Sequence, residues 1–304
     1  MLSNNFSDSK NRFPDFIIAG AAKAGTTSLS RYLNSHKDIF IPSQELNYLA
    51  FARKKGNFRV LDTPYITSLE DYLMQFSGVK NPVTGDKSIS YSYLYYVDEV
   101  IHNIYTFFPH PERVKIILIL RQPVERMFSQ YVFNLESQEH LPFREAVEAW
   151  PERREKGWVP SYDYCGASYY AYAVEQYQKH FQNTKVVLFE DLKNHPQELM
   201  KEMAAFLGVW NHFKPVNKAY NASGIPANVV AKRFFRMLRN NRIKSKIDVW
   251  LPYAAKRNIS EFMKSKLYTK PQLPESDLKR FIPYFSEDIE KVEALTGRDL
   301  THWK

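Results

Sequence analysis

Residues 16–29 read Phe16-Ile17-Ile18-Ala19-Gly20-Ala21-Ala22-Lys23-Ala24-Gly25-Thr26-Thr27-Ser28-Leu29. An uninterrupted apolar run opening this stretch is the mark of a strand buried on both faces, as in a parallel sheet. A loop of small residues carrying one lysine follows, and then a helix over Ser28–Asn34 whose Leu29, Tyr32 and Leu33 share one face. Such a loop can wrap an anion in backbone N–H groups, and the helix N-terminus adds a partial positive charge.

The loop comes close to the phosphate loop of nucleotide kinases, with Gly20 and Gly25 at the matching separation. It departs from that pattern in one respect. The lysine lies inside the loop at position 23, and Thr26-Thr27 stands where Lys-Ser/Thr should follow the second glycine.

A second motif lies further along. Val114–Leu120 is another buried apolar run, and it ends in Arg121-Gln122-Pro123-Val124-Glu125-Arg126-Met127-Phe128-Ser129-Gln130-Tyr131. A magnesium-dependent phosphotransferase would place an aspartate at the end of such a strand, and here an arginine stands there. Pro123 suits the first turn of a helix, and Ser129 falls two turns in, on roughly the face of Arg121. An arginine fork with a serine hydroxyl suits a terminal phosphate dianion.

Together these motifs resemble the sulfotransferases that use 3′-phosphoadenosine 5′-phosphosulfate (PAPS), most nearly the branch of heparan sulfate and bacterial carbohydrate enzymes. The resemblance implies a P-loop-like α/β fold, a single domain with a central parallel sheet flanked by helices. It implies that Lys23, Ala24, Gly25, Thr26, Thr27 and Ser28 hold the 5′-phosphosulfate, with Lys23 on the bridging oxygen, and that Arg121 and Ser129 hold the 3′-phosphate. Gly85-Asp86-Lys87-Ser88-Ile89-Ser90-Tyr91 is similar to the family's Gly-Glu-Lys-Ser/Thr-Pro-Ser-Tyr, with Ile89 in place of proline. This puts Lys87 near the sulfuryl oxygens or the acceptor. Glu45 matches the glutamate of Lys-Glu-x-His-Phe-Phe, the general base of the heparan-type branch, although Gln44, Asn47 and Ala50 replace a lysine, a histidine and a frequent aspartate. A solvated surface glutamate is the alternative. Phe206-Leu207-Gly208-Val209 and Leu295-Thr296-Gly297-Arg298-Asp299-Leu300-Thr301-His302-Trp303 continue the family pattern to the end of the chain. The implied co-substrate is PAPS and the implied product adenosine 3′,5′-bisphosphate, with no metal. The acceptor is expected to be a saccharide. A small natural product or lipid-like alcohol is the alternative, and a nucleotide kinase or non-catalytic nucleotide binder the remaining one.

Residues 1–13 read as a loose polar tail and 14–304 as one domain. Strands are expected at Phe16–Ala19, Val114–Leu120 and Lys185–Phe189, an extended piece at Ile39–Pro42, and helices at Phe143–Trp150 and Tyr170–His180. Their alternation implies right-handed crossovers and a parallel sheet. Glu190-Asp191 imitates a magnesium-binding acidic strand end, but reads better as helix capping.

Cys165 is the only cysteine, which excludes an intramolecular disulfide and a thiolate metal cluster, and the eight histidines have no metal-like spacing. A net charge of +9 suits anionic ligands; no nucleic-acid partner is expected. No apolar run is long enough to span a bilayer and no secretory signal is evident. Golgi members of the resembled family carry such a membrane anchor, so the resemblance implies a cytoplasmic setting, a bacterial one included, with the oligomeric state open. Two stretches stay ambiguous. The aromatics Trp158, Tyr162, Tyr164, Tyr169, Tyr170 and Tyr172 either line an acceptor cleft or fill the core. The basic run 232–246 is either a solvated helix face or a surface for an anionic acceptor or a membrane.

Overall fold

A computed structural model describes residues 12–52, 66–213, 225–226, 268–269 and 271–304. Five strands form one parallel sheet: β1 Phe16–Gly20, β2 Ile39–Phe40, β3 Val83–Lys87, β4 Lys115–Leu120 and β5 Thr184–Leu188, in the order β2-β3-β1-β4-β5. Every residue of β1 is buried, as are Ile116 to Leu120 of β4. Continuous burial is why these strands show no alternation in sequence. The chain runs from β1 outward to β2, and from β4 outward to β5 on the other side. Neighbouring strands whose connections depart in opposite directions open a crevice at their carboxyl ends, where ligands of α/β sheets gather.

The helices are α1 Thr26–Leu33, α2 Tyr48–Phe51, α3 Leu69–Met74, α4 Val97–Phe107, α5 Pro123–Asn134, α6 Phe143–Glu148, α7 Trp150–Glu155, α8 Ala171–His180, α9 Phe189–Asn194, α10 Pro196–Leu207, α11 Glu275–Phe281 and α12 Ser286–Thr296. A short antiparallel pair, β6 Ile225–Pro226 with β7 Tyr268–Thr269, lies apart from the main sheet. The α/β architecture with a central parallel sheet agrees with the sequence expectation. So do the three expected strands, within a residue at either end; the extended piece at 39–42 is a strand only over Ile39–Phe40, and β3 had no counterpart in the sequence expectation.

Two helix expectations need correction. The first helix starts at Thr26, because Gly25 in a left-handed conformation (φ 102°) already turns the chain into it. The stretch expected as one helix over Phe143–Trp150 is two, parting at Ala149. Pro151 cannot donate to the Val147 carbonyl and its ring would crowd it, so the helix stops and restarts with Pro151 in a first turn. The basic run 232–246 and residues 1–11 lie outside the described residues. Arg12 donates to the carbonyl of Asn81 at 2.5 Å and to that of Pro82, while Phe13 packs on Phe108.

Candidate active site

The small-residue loop leaves β1 at Gly20, where a side chain would collide with Ser92; an added Cβ would lie 2.0 Å from its Oγ. Ala21 N–H donates to the Ile119 carbonyl of β4 at 2.8 Å, which stitches the loop to the neighbouring strand. Gly25 packs so closely on Ile119, Phe189 and Leu192 that a Cβ there would crowd them. Between the two glycines, Lys23 adopts φ 64°, a left-handed conformation that costs a non-glycine residue on the order of 1 kcal/mol. No side chain caps α1, whose first turn opens directly from the loop at Thr26 and Thr27, so the helix N-terminus lends its partial positive charge to the loop.

Lys23 Nζ sits 4.3 Å from the centre of the Phe133 ring on α5. Burial first, then the nearby Arg126 and Arg121 charges, push its pKa down from 10.5 to about 8; Glu136 and Glu45 oppose the shift. A lysine placed among cations in a cleft is poised to meet an anion, whose arrival would restore its full charge.

The expected turn into α5 is present. Pro123 is in the first turn, and Gln122 caps the helix by accepting from Glu125 N–H at 2.7 Å. The other end of the Gln122 amide donates to the Trp303 carbonyl, and the Tyr170 hydroxyl donates to the Arg121 carbonyl at 2.8 Å. The Arg121 guanidinium is thereby fixed above the Phe189 ring, with Nη1 3.4 Å from the Lys23 carbonyl and Nε and Nη2 on Glu125 Oε2. Two loops separated by about a hundred residues of chain therefore meet at adjacent strand ends. Arg126, Ser129 and Phe133 follow one helical face. Because Arg126 reaches the Ala22 carbonyl and Phe133 reaches Lys23, Ser129 stands between two side chains that touch the loop. Its hydroxyl makes no hydrogen bond among the described residues.

Glu45 and Lys87 come together from separate elements. Lys87 ends β3, buried, and its Nζ lies 3.2 Å from Glu45 Oε1. Glu45 is half-buried on the segment between β2 and α2, and it is near enough to Lys23 to act on its charge. All eight expected anion-loop and 3′-phosphate residues and both further candidates thus occupy the carboxyl ends of β1, β3 and β4 or the segments beside them.

Four neighbours have no assigned role in the sequence reading: Asp86, Arg126, Phe133 and Glu136. Arg126 was visible in the motif as the second arginine, but spacing alone does not tell a buried guanidinium from a solvated one. Asp191 caps as expected, though from inside its helix: its carboxylate accepts from Leu188 N–H at 2.9 Å and pairs with Arg298 at 2.6 Å. Glu190 takes no part in this, and its Oε2 is buried without a hydrogen-bond partner. Tyr162, Tyr164 and Tyr170 are buried, so the centre of the aromatic stretch is core, with the Tyr164 hydroxyl donating to Glu139 at 2.7 Å. No helix of the described residues is long and apolar enough to cross a membrane.

The chain is 24% identical over 211 residues to the bifunctional heparan sulfate N-deacetylase/N-sulfotransferase 1 of Xenopus laevis, a stretch that is 66% of this chain and 23% of that protein. It therefore spans only about a quarter of that relative's length. To the heparan sulfate glucosamine 3-O-sulfotransferase 5 of Mus musculus it is 25% identical over 302 residues, covering 96% of this chain and 75% of that one. The crystal structure of a sulfotransferase from Alicyclobacillus acidocaldarius superposes with a TM-score of 0.71 at 26% identity, over 96% of this chain and 99% of the other. A family model for the sulfotransferase domain matches residues 13–293. With nearly its whole length accounted for in this way, the chain belongs to the sulfotransferase family.

Proposed function

We propose that the protein moves the sulfuryl group of PAPS to a hydroxyl or amine of a saccharide. The observation that carries this reading is the convergence of Lys23, Arg121 and the Glu45–Lys87 pair on one crevice at the carboxyl ends of adjacent strands. Loop amides and the α1 N-terminus hold the 5′-phosphate while Arg121 and Ser129 take the 3′-phosphate. Glu45 accepts the acceptor's proton as its oxygen or nitrogen attacks sulfur in line. The S–O bond to the phosphate breaks, its electron pair stays on the phosphate oxygen, and Lys23 neutralises the charge there. Lys87 stands beside Glu45 to balance the sulfuryl oxygens. The products are the sulfated acceptor and adenosine 3′,5′-bisphosphate. Both heparan sulfate relatives support the saccharide assignment.

Mass spectrometry of the protein incubated with PAPS and a panel of oligosaccharides, phenols and alkyl alcohols tests the proposal. A gain of one sulfuryl group on an oligosaccharide is expected. Sulfation confined to the small alcohols would move the acceptor to that class, and stabilisation by ATP with magnesium but not by adenosine 3′,5′-bisphosphate would favour a kinase. Transfer should survive EDTA, because Lys23 takes the charge that a metal ion would otherwise neutralise. Loss with EDTA and rescue by magnesium would overturn that assignment.

Donor recognition has its own test. Adenosine 3′,5′-bisphosphate should raise the melting temperature far more than 5′-AMP does. Arg121→Ala should erase the difference, costing about 10- to 100-fold in affinity for the bisphosphate, as expected for a charge-assisted contact. Equal responses of the wild-type protein to the two nucleotides would sink the 3′-phosphate role.

A further inference from the structure

Asp86, the residue before Lys87 on β3, is 0% exposed. Burial pushes its carboxyl up to about 6, and hydrogen bonds from Ser88, Tyr91 and Tyr72, with the Lys87 charge, pull the other way. It has no cation in contact, since the Lys87 ammonium is turned to Glu45. Three hydroxyls satisfy it instead: Ser88 Oγ donates to Oδ1 at 2.7 Å, and Tyr91 and Tyr72 donate to Oδ2 at 2.9 and 3.0 Å.

A hydroxyl that gives its proton to a carboxylate presents only lone pairs to its other neighbours. Ser88 Oγ uses one to accept Asn47 N–H at 2.9 Å, and Tyr91 OH accepts Leu49 N–H at 3.1 Å. The third donor, Tyr72, stacks on Tyr48 with ring centres 4.8 Å apart. The two relays and the ring stack thus end on residues 47–49, which follow Glu45 after Leu46. The backbone there needs holding, because Asn47 is left-handed at φ 51° and its side-chain oxygen is itself fixed by Ser90 at 2.7 Å.

We propose that Asp86 is a positioning residue for the sulfuryl-transfer step: it polarises Ser88 and Tyr91 into acceptors that pin Asn47 and Leu49, and so sets Glu45 opposite Lys87. This rests on the reading of Glu45 as the base. A carboxylate is required because an amide keeps one acceptor oxygen and replaces the other with an NH2 donor. In Asp86→Asn that donor takes a hydroxyl lone pair, and the hydroxyl's own proton then points at the segment it should hold.

The test pairs kinetics with amide hydrogen exchange. Turnover is measured on the acceptor identified from the panel, or as release of inorganic sulfate from PAPS where no panel member is sulfated. Asp86→Asn should lower kcat by roughly 10²-fold, the cost of misplacing a reacting group, with the affinity for adenosine 3′,5′-bisphosphate unchanged. Exchange at Asn47 and Leu49 should accelerate by about tenfold, while Ile117 and Leu118 on β4 keep wild-type protection. In a Glu45→Gln background Asp86→Asn should cost almost nothing more, because there is no base left to position. Ser88→Ala and Tyr91→Phe each remove one relay and carry the same test if Asp86→Asn does not fold. Wild-type turnover, unchanged exchange at Asn47 and Leu49, or full additivity with Glu45→Gln would overturn the proposal. Should Glu45→Gln alone turn over normally, the base reading falls, and exchange at the two amides still decides whether Asp86 holds the segment.

Discussion

Lys23→Ala is expected to reduce kcat for sulfuryl transfer by roughly 10³–10⁵, the range a charge-neutralising cation supplies in phosphoryl transfer. Affinity for adenosine 3′,5′-bisphosphate should fall with it, since the same ammonium meets the 5′-phosphate. The wild-type protein provides a second readout. With Lys23 lowered to about 8 by burial and by Arg126 and Arg121, nucleotide affinity should be level below that pH and decline above it as the free lysine loses its proton. Stability has the opposite sign. The unfolded lysine titrates at 10.5 and the folded one near 8, so folding opposes the protonated form. That cost is fully present below about pH 8 and fades as pH rises toward the unfolded value. Lys23→Met should therefore melt higher than wild type at neutral pH without ligand, with the gap closing above pH 8. Calorimetric titrations and melting curves across this range check both signs. An affinity level to pH 10, or normal turnover in the variant, would remove Lys23 from the chemistry.

Glu45→Gln should separate binding from reaction. The substitution keeps the size of the side chain and its place beside Lys87, but an amide cannot take a proton from the acceptor. Turnover should fall by roughly 10²–10⁴, the usual contribution of a general base, while calorimetry finds the affinity for adenosine 3′,5′-bisphosphate nearly intact. A variant as fast as wild type would place the base elsewhere in the crevice.

The two anion motifs were legible in the sequence because each is local: a strand end, a loop and a helix start within a dozen residues. That their loops touch, with Arg121 3.4 Å from the Lys23 carbonyl, follows from β1 and β4 being neighbours, which no local pattern states. The hydroxyl relays around Asp86 were not legible for the same reason. They join β3 to residues 47–49 and to Tyr72 across long separations, and Asp86 reads in sequence only as a variant of the family glutamate. The aromatics between Trp158 and Tyr172 could not be divided beforehand, since a tyrosine packs in a core or lines a cleft with the same ring. The break at Ala149 was available from Pro151, but the apolar periodicity of Phe143–Trp150 hid it.

Arg126 ties together three stretches far apart in the chain, donating to Ser168 Oγ at 2.6 Å, the Tyr164 carbonyl at 2.9 Å and the Ala22 carbonyl at 3.4 Å. It is 0% exposed, and no carboxylate of the described residues is within ion-pair distance of it. Its hydrogen-bond acceptors are all neutral and the Asp163 carboxylate acts on its charge only at longer range, so an anion seated on the loop above Ala22 would meet a buried cation without a contact ion pair. On the proposed function, the donor nucleotide would in this sense be a structural component as well as a reagent. Resistance of the chain to proteolysis should then rise with the concentration of adenosine 3′,5′-bisphosphate, so that a shortage of the nucleotide would shorten the life of the protein as well as idle it.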